Sequence, residues 1–237
     1  MIKEALQYIV GLGKANVQEV HGDQYSDKPL HRIDPYIPMA SSIKVRTLTS
    51  LLDYIIGGID EMRPTMIVAV ESPTTVRLYS QLYKNRDREY MMVAEAMLPS
   101  FSFNQFINQE NFCISLQSKF IQNEDRDLLL KFAGTVEAGT VAQYGDDGVS
   151  QKATVKTGIA SKGDAIIPNP VRLKPYRTFL EVDQPESEFI FRMREDRGIE
   201  CAIFEADGGA WAIEAMENIK AYLQGILKDM PQFTVIA

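Results

Sequence analysis

The stretch richest in chemical potential is Asp207-Gly208-Gly209, which joins a strand-like run, IECAIFEA, to a long helical one. Two glycines at a strand-to-helix junction let backbone N–H groups approach a ligand closely, and a helix N-terminus favours an anion. Asp207 has a competing role, because its carboxylate caps that helix and repels a phosphate. Trp211, the sole tryptophan, follows two residues later and reads either as a packed anchor or as a stacking platform. Just upstream, Arg192 and Arg194 alternate along EFIFRMRE, with Arg172, Lys174, Arg177 and Arg197 nearby in sequence. Glu181, Asp183, Glu186, Glu188, Glu195 and Asp196 almost balance these cations. Three readings stay open: a solvated, salt-bridged strand face, a subunit interface that uses opposite charges for register, or a nucleic-acid stripe. The candidate ligand-binding residues are therefore Asp207, Gly208, Gly209, Arg192 and Arg194. Glu200 and Glu205 flank the following strand and suggest an acid/base pair, but no partner residue supports one.

Motifs that announce a reaction are missing. There is no GxSxG elbow, Walker loop, GxGxxG after a strand, HExxH or CxxC. The two histidines, His21 and His31, have no Cys or carboxylate at ligand spacing, so neither a metal nor a cofactor is expected. Cys113 and Cys201 lie far apart among apolar neighbours and read as buried free thiols, in keeping with a reducing compartment. The net charge of −7 offers no global attraction to phosphate backbones, although it leaves a local basic patch open. The start, MIKEALQYIVGLGK, is a poor signal peptide, and nothing nears the roughly 18 apolar residues of a membrane span. A soluble cytoplasmic protein is the expectation, with no membrane partner.

Those residues need elements to position them. At 237 residues, 45% of them apolar, the chain supports a sizeable core in a single domain over 1–237, with an N-terminal arm or subregion over 1–64 and a C-terminal tail over 229–237. Ile2, Leu6, Ile9 and Val10 predict a short amphipathic helix that Gly11 and Gly13 weaken. The segment from Val17 to Ile43 holds Pro29, Pro35 and Pro38 and reads as a loop with one or two short strands, packed on the core or on a neighbouring subunit. Thr47 or Thr49 caps a helix carrying Leu51, Leu52, Ile55 and Ile56, which Gly57-Gly58 ends. MIVAVE, TVRLYSQLY and YMMVAEAML predict an antiparallel meander with Met66, Val68 and Val70 on one face. Phe103, Phe106, Ile107, Ile114 and Leu116 recur at roughly helical intervals, and EDRDLLLKFAG predicts another helix ending at Gly134. A hairpin is expected around Gly145-Asp146-Asp147-Gly148, with alternation resuming through Ala153, Val155 and Ile159. In the last third, EFIFRMRE and IECAIFEA read as strands, and Ala212, Met216, Ile219, Leu223 and Ile226 form the buried stripe of a long helix. Phe189, Phe191, Ile203, Trp211, Met216 and Ile219 are the expected main core. The tail, MPQFTVIA, is β-prone and suits addition to a sheet in this subunit or the next. This order gives an α+β fold, antiparallel sheets packed with helices and the long C-terminal helix against the sheet.

Several phrases of the chain resemble one family. TLTSLLDYI, LQSKF, GDDGVSQ, PNPVRLKPYRTF, EVDQPESEFIFR and FEADGGAW together look like the YfdQ-like family of phage and prophage proteins. The resemblance covers nearly the whole chain and implies a phage origin in a bacterial cytoplasm, near recombination genes. It assigns no catalytic or binding residue. The leading expectation is a non-enzymatic phage accessory protein that works as a homo-oligomer. The alternatives are a nucleic-acid or nucleotide binder supporting phage recombination or evasion of host defence, and a hydrolase using Asp207, Glu205 or Glu200.

Overall fold

The computed structural model describes residues 2–13, 15–21, 23–28, 40–83, 86–136, 151–156, 162–167, 169–195 and 197–237. The chain divides into two units, Met1–Met39 and Ala40–Ala237. The first holds helix α1 (Ile2–Leu12) and a two-stranded antiparallel ladder of β1 (Val17–Val20) and β2 (Asp23–Ser26). None of its residues whose side chains are described is buried.

The second unit is built from two five-stranded sheets, each with its own pair of helices, and a separate two-stranded hairpin. It begins with β3 (Ile43–Val45) and α2 (Leu48–Gly57), whose N-terminus is capped by Thr47 accepting the Ser50 N–H at 3.1 Å. Gly58 ends that helix at φ 56°, a left-handed conformation that favours glycine. The meander follows as β4 (Met66–Ser72), β5 (Thr75–Ser80) and β6 (Tyr90–Glu95), with Met66, Val68 and Val70 buried as their alternation predicts. Next come β7 (Ile107–Asn108), α3 (Gln109–Lys119), β8 (Phe120–Ile121) and α4 (Glu124–Thr135). A hairpin of β9 (Gln151–Lys156) and β10 (Lys162–Ile167) leads into β11 (Val171–Pro175). The chain closes with β12 (Ser187–Glu195), β13 (Ile199–Glu205), α5 (Ala210–Ile226) and β14 (Phe233–Ile236).

The first sheet has the order β14-β4-β5-β6-β3 and the second β7-β13-β12-β11-β8. All pairings of the second are antiparallel. In the first, the antiparallel meander is flanked by β14 parallel to β4 and β3 parallel to β6. Helices α2 and α5 cover the first sheet, and their core joins Leu51, Leu52, Val68, Leu78, Ile219 and Leu223. Helices α3 and α4 serve the second, where Phe112, Leu129, Phe189, Phe191, Cys201 and Ile203 meet. Each fully buried side chain of this size stabilises the fold by about 1.5–3 kcal/mol. The fold is α+β, and the C-terminal helix packs on a sheet.

Three particulars differ from the sequence expectation. The expected single core is two, with Phe189, Phe191 and Ile203 in one, Ile219 in the other, Met216 half-buried against the latter and Trp211 in neither. Helix α3 begins only after Asn108, whose side chain accepts the Asn111 N–H at 2.8 Å; Phe103 and Phe106 precede it, and Ile114 is exposed. The buried stripe of α5 runs through Ala215, Ile219 and Leu223, with Leu227 just beyond, so Ile226 is turned outward. The β-prone tail adds to a sheet as expected, and does so within its own chain, as β14 beside β4. The Gly145–Gly148 turn and His31 lie outside the described residues.

Candidate functional site

The chain leaves the second sheet towards the first twice in its last third, once to return and once to stay, and the two departures meet at Arg177. The first is the segment from Tyr176 to Glu186, which leaves β11 in the second sheet and sends Phe179 into the core of the first. It is stiffened by Gln184, whose side-chain oxygen accepts the N–H groups of Arg177 and Thr178 at 3.0 and 3.1 Å. The Gln184 amide donates back to the Phe179 carbonyl at 3.0 Å, and the Thr178 hydroxyl reaches the Pro73 carbonyl at 2.6 Å. The second crossing is Ala206 to Gly209, between β13 in the second sheet and α5 on the first.

Between them lies the Arg177 guanidinium. One amino group donates to Glu205 Oε1 at 2.8 Å, and the other donates to Ser187 Oγ and stands 3.9 Å from Asp207 Oδ2. Its Cζ lies 4.0 Å from the Trp211 ring centroid, 5.5 Å from that of Phe189 and 5.8 Å from that of Phe103. The Arg177 side chain is only 9% exposed and that of Asp207 12%. Burial pushes the guanidinium below its ordinary value, while Glu205 and Asp207 act to hold it charged. For Asp207, burial favours the neutral acid, but the Gly209 N–H, the Ser187 hydroxyl, the Arg177 charge and the Trp211 N–H outweigh it. The carboxyl is held below its ordinary value.

The glycine pair has the geometry that the sequence suggests. Gly208 and Gly209 sit at φ 63° and 85°, where a side chain would strain the backbone although space is open around both. Gly209 is the residue capping α5, and its N–H donates to Asp207 Oδ1 at 3.0 Å. Asp207 thus occupies the place that an anion would take at this helix start, and its own counter-cation is already in position. The arrangement is an internal electrostatic clip. Arg177 Nε and Asp207 Oδ2 are the two buried polar atoms of the clip that lack a hydrogen-bond partner.

The five residues singled out by sequence do not converge. Arg194 lies opposite Glu200 in the β12–β13 ladder and bonds it at 2.6 Å, with the guanidinium 4.2 Å from the Phe106 ring. Arg192 lies opposite Ala202 and donates to the Phe191 carbonyl at 3.1 Å. Glu200 and Glu205 are five positions apart on β13, which at about 3.3 Å per residue places Arg194 roughly 17 Å from the Asp207 end. The structure therefore puts Asp207, Gly208 and Gly209 beyond one end of the ladder, Arg194 near the other end and Arg192 at its middle. It also separates Glu200 from Glu205 and gives each an arginine. Arg177 is the organising residue, and sequence alone does not single it out. The one signal for it is its position in a Pro-x-Arg run shortly before an acidic strand, which is not specific.

Among the described residues no group of three His, Cys, Asp or Glu side chains gathers at metal-binding distance. Nor is any helix among them long and apolar enough to cross a membrane. Two clefts lie away from the clip. One, of about 130 Å³, is lined by Arg46, Ala96, Met97, Phe179 and Leu180. The other, of about 320 Å³, runs between the end of α5 and β14, past Leu227, Met230, Phe233 and Val235. Comparison of the chain with protein-family models, with curated proteins and with solved structures finds no match.

Proposed function

We propose that the chain is a non-enzymatic, phage-encoded accessory protein that works as a self-assembling homo-oligomer. The observation that carries the reading is the apolar stripe of α1. Ile2 is 80% exposed, Ile9 62% and Val10 63%, with Leu6 beside them. Isolated helices of 11 residues are marginal in water, and units below about 40 residues need external support to fold. No residue of the Met1–Met39 unit whose side chain is described is buried, so association supplies the missing core.

A second copy suits this face better than other occupants. Ile2, Leu6 and Ile9 are spaced four and three apart, the seam of helix-to-helix pairing. The helix carries one Lys and one Glu, Lys3 and Glu4, so it lacks the basic polar face of a membrane-surface helix. A structural rather than catalytic role is supported by the Arg177 cluster, whose buried charges face one another rather than a cleft. The phage setting rests on the resemblance to the YfdQ-like family.

Light scattering on the full chain tests this. A multimer is expected for the native protein, and Leu6→Glu, which buries a carboxylate in the helix pair, is expected to lower the mass. A native monomer at tens of micromolar would end the proposal.

A further inference from the structure

We propose that the outer edge of β14 is a second contact between copies of this chain, made by antiparallel pairing of two β14 strands about a two-fold axis at Val235. This surface is separate from α1, and the identity of its partner rests on the self-assembly reading.

The backbone geometry is the starting point. The Met66 N–H donates to the Gln232 carbonyl at 2.8 Å, and Phe233, Thr234, Val235 and Ile236 pair in parallel with Met66, Ile67, Val68 and Ala69. A parallel ladder uses alternate residues, so Gln232, Thr234 and Ile236 turn their N–H and C=O groups towards β4. Phe233 and Val235 turn theirs the other way. The Phe233 N–H is taken by the Met230 carbonyl at 3.1 Å, which leaves the Val235 N–H and C=O as the pair at the strand's centre. Among the described residues β14 is the end strand of its sheet.

That edge lacks the devices that keep edges apart. Between Phe233 and Ile236 there is no Lys, no Pro, no charge and no bulge. Ile236 is 48% exposed on the face away from the helices. A cleft of about 320 Å³ runs beside the strand, lined by Leu227, Met230, Phe233 and Val235 together with the polar Gln224, Lys228 and Thr234, and leaves room for an added strand at this edge.

The strand is also complementary to itself. With Val235 opposite Val235 of a second copy, both exchange their N–H and C=O groups as a hydrogen-bonded pair. Thr234 then faces Ile236 of the other copy on the outer face, and Phe233 faces Ala237 on the core face, a large side chain against a small one. No like charges meet. The two first sheets become one of ten strands, and the two cores beneath them become continuous. A two-fold contact at β14 together with one at α1 builds assemblies beyond a dimer.

The register allows a charge test on exposed positions. In T234K/I236K each Lys at 234 meets a Lys at 236 of the other copy, and in T234K/I236E each meets a Glu. Light scattering on the full chain is expected to give about four or more copies for the native protein. T234K/I236K is expected to halve the mass, and T234K/I236E to restore it. A native mass retained by T234K/I236K, or a T234K/I236E variant as small as T234K/I236K, overturns the β14 contact. L6E reports on α1 separately: if it lowers the mass while T234K/I236K does not, the α1 reading stands and this one falls. The reverse outcome leaves β14 as the contact and removes α1.

Discussion

Replacing Arg177 by Ala tests whether the clip between the two layers matters to the fold. The guanidinium is 9% exposed and makes charge-assisted bonds to Glu205 and Ser187 while stacking on Trp211 at 4.0 Å. Hydrogen bonds to charged groups contribute about 1.5–3 kcal/mol. Stacking of a desolvated cation on an indole adds about 1–2 kcal/mol. Glu205 is 34% exposed, so its carboxylate regains water when the Arg is removed, which discounts that pair. Asp207 and Ser187 are enclosed and have no such recourse. The expected loss is about 3–4 kcal/mol, within the range for removing one partner of a buried pair. Arg177→Lys keeps the charge but cannot span Glu205 and Ser187 while lying flat on Trp211, so about half that loss is expected. Arg194→Ala is the control, because its pair with Glu200 is half-exposed and worth about 1 kcal/mol at most. Urea unfolding followed by circular dichroism reads all three, with the slope unchanged if only the native state is affected. A loss for Arg177→Ala no larger than that for Arg194→Ala would refute the clip.

The same packing sets two further outcomes. The Asp207 carboxyl has a folded-state value below its ordinary one, so its contribution is complete above about pH 4 and is lost as pH falls through the folded value. Asp207→Asn is therefore expected to be less stable near neutrality and to lose less on acidification. Melting temperatures between pH 7 and pH 3 check this, and parallel acid limbs would contradict it. Cys201 is fully buried between β13 and α3, and burial, with a smaller contribution from Cys113, pushes its thiol up to about 12. It is expected to stay unlabelled by a thiol-specific aromatic disulfide at pH 8 until the protein unfolds. Native-state labelling at Cys201, mapped by mass spectrometry, would show that the second core is not packed as described.

What was legible in the sequence is what neighbouring residues decide. The meander of β4, β5 and β6 follows from period-two alternation, α2 from Thr47 and Gly58 at its ends, and α5 from a long apolar repeat. What was not legible is what distant residues decide. The apolar spacing around Phe103 and Phe106 looks helical, yet Asn108 caps the helix later, and the phenylalanines instead reach Phe189 and Phe204 from other strands. The stripe of α5 differs from the expected one because its N-terminus is fixed by Gly209 and by the sheet beneath it, not by the neatest repeat. The tail's place beside β4 rests on the Gln232 carbonyl meeting Met66, 166 positions earlier, for which no local pattern exists.

At the glycine pair local pattern leaves two readings open. A strand, an acidic residue, two glycines and a helix describe equally an anion site and a tight crossing between layers. The difference lies in where the nearest cation comes from. Here it is Arg177, 30 positions before Asp207, carried in by a segment that Gln184 and Thr178 hold rigid and that Phe179 anchors in the other core. With that cation supplied from within, Asp207 is ionised, enclosed and matched, and the backbone N–H groups at the start of α5 point at it rather than at solvent. The crossing from β13 to α5 and the excursion that leaves β11 and returns to β12 are thereby held at one point. Arg177 thus faces both Glu205 and Asp207, with Phe179 of the first core two residues on in its own segment and Phe189 of the second core 5.5 Å from its guanidinium.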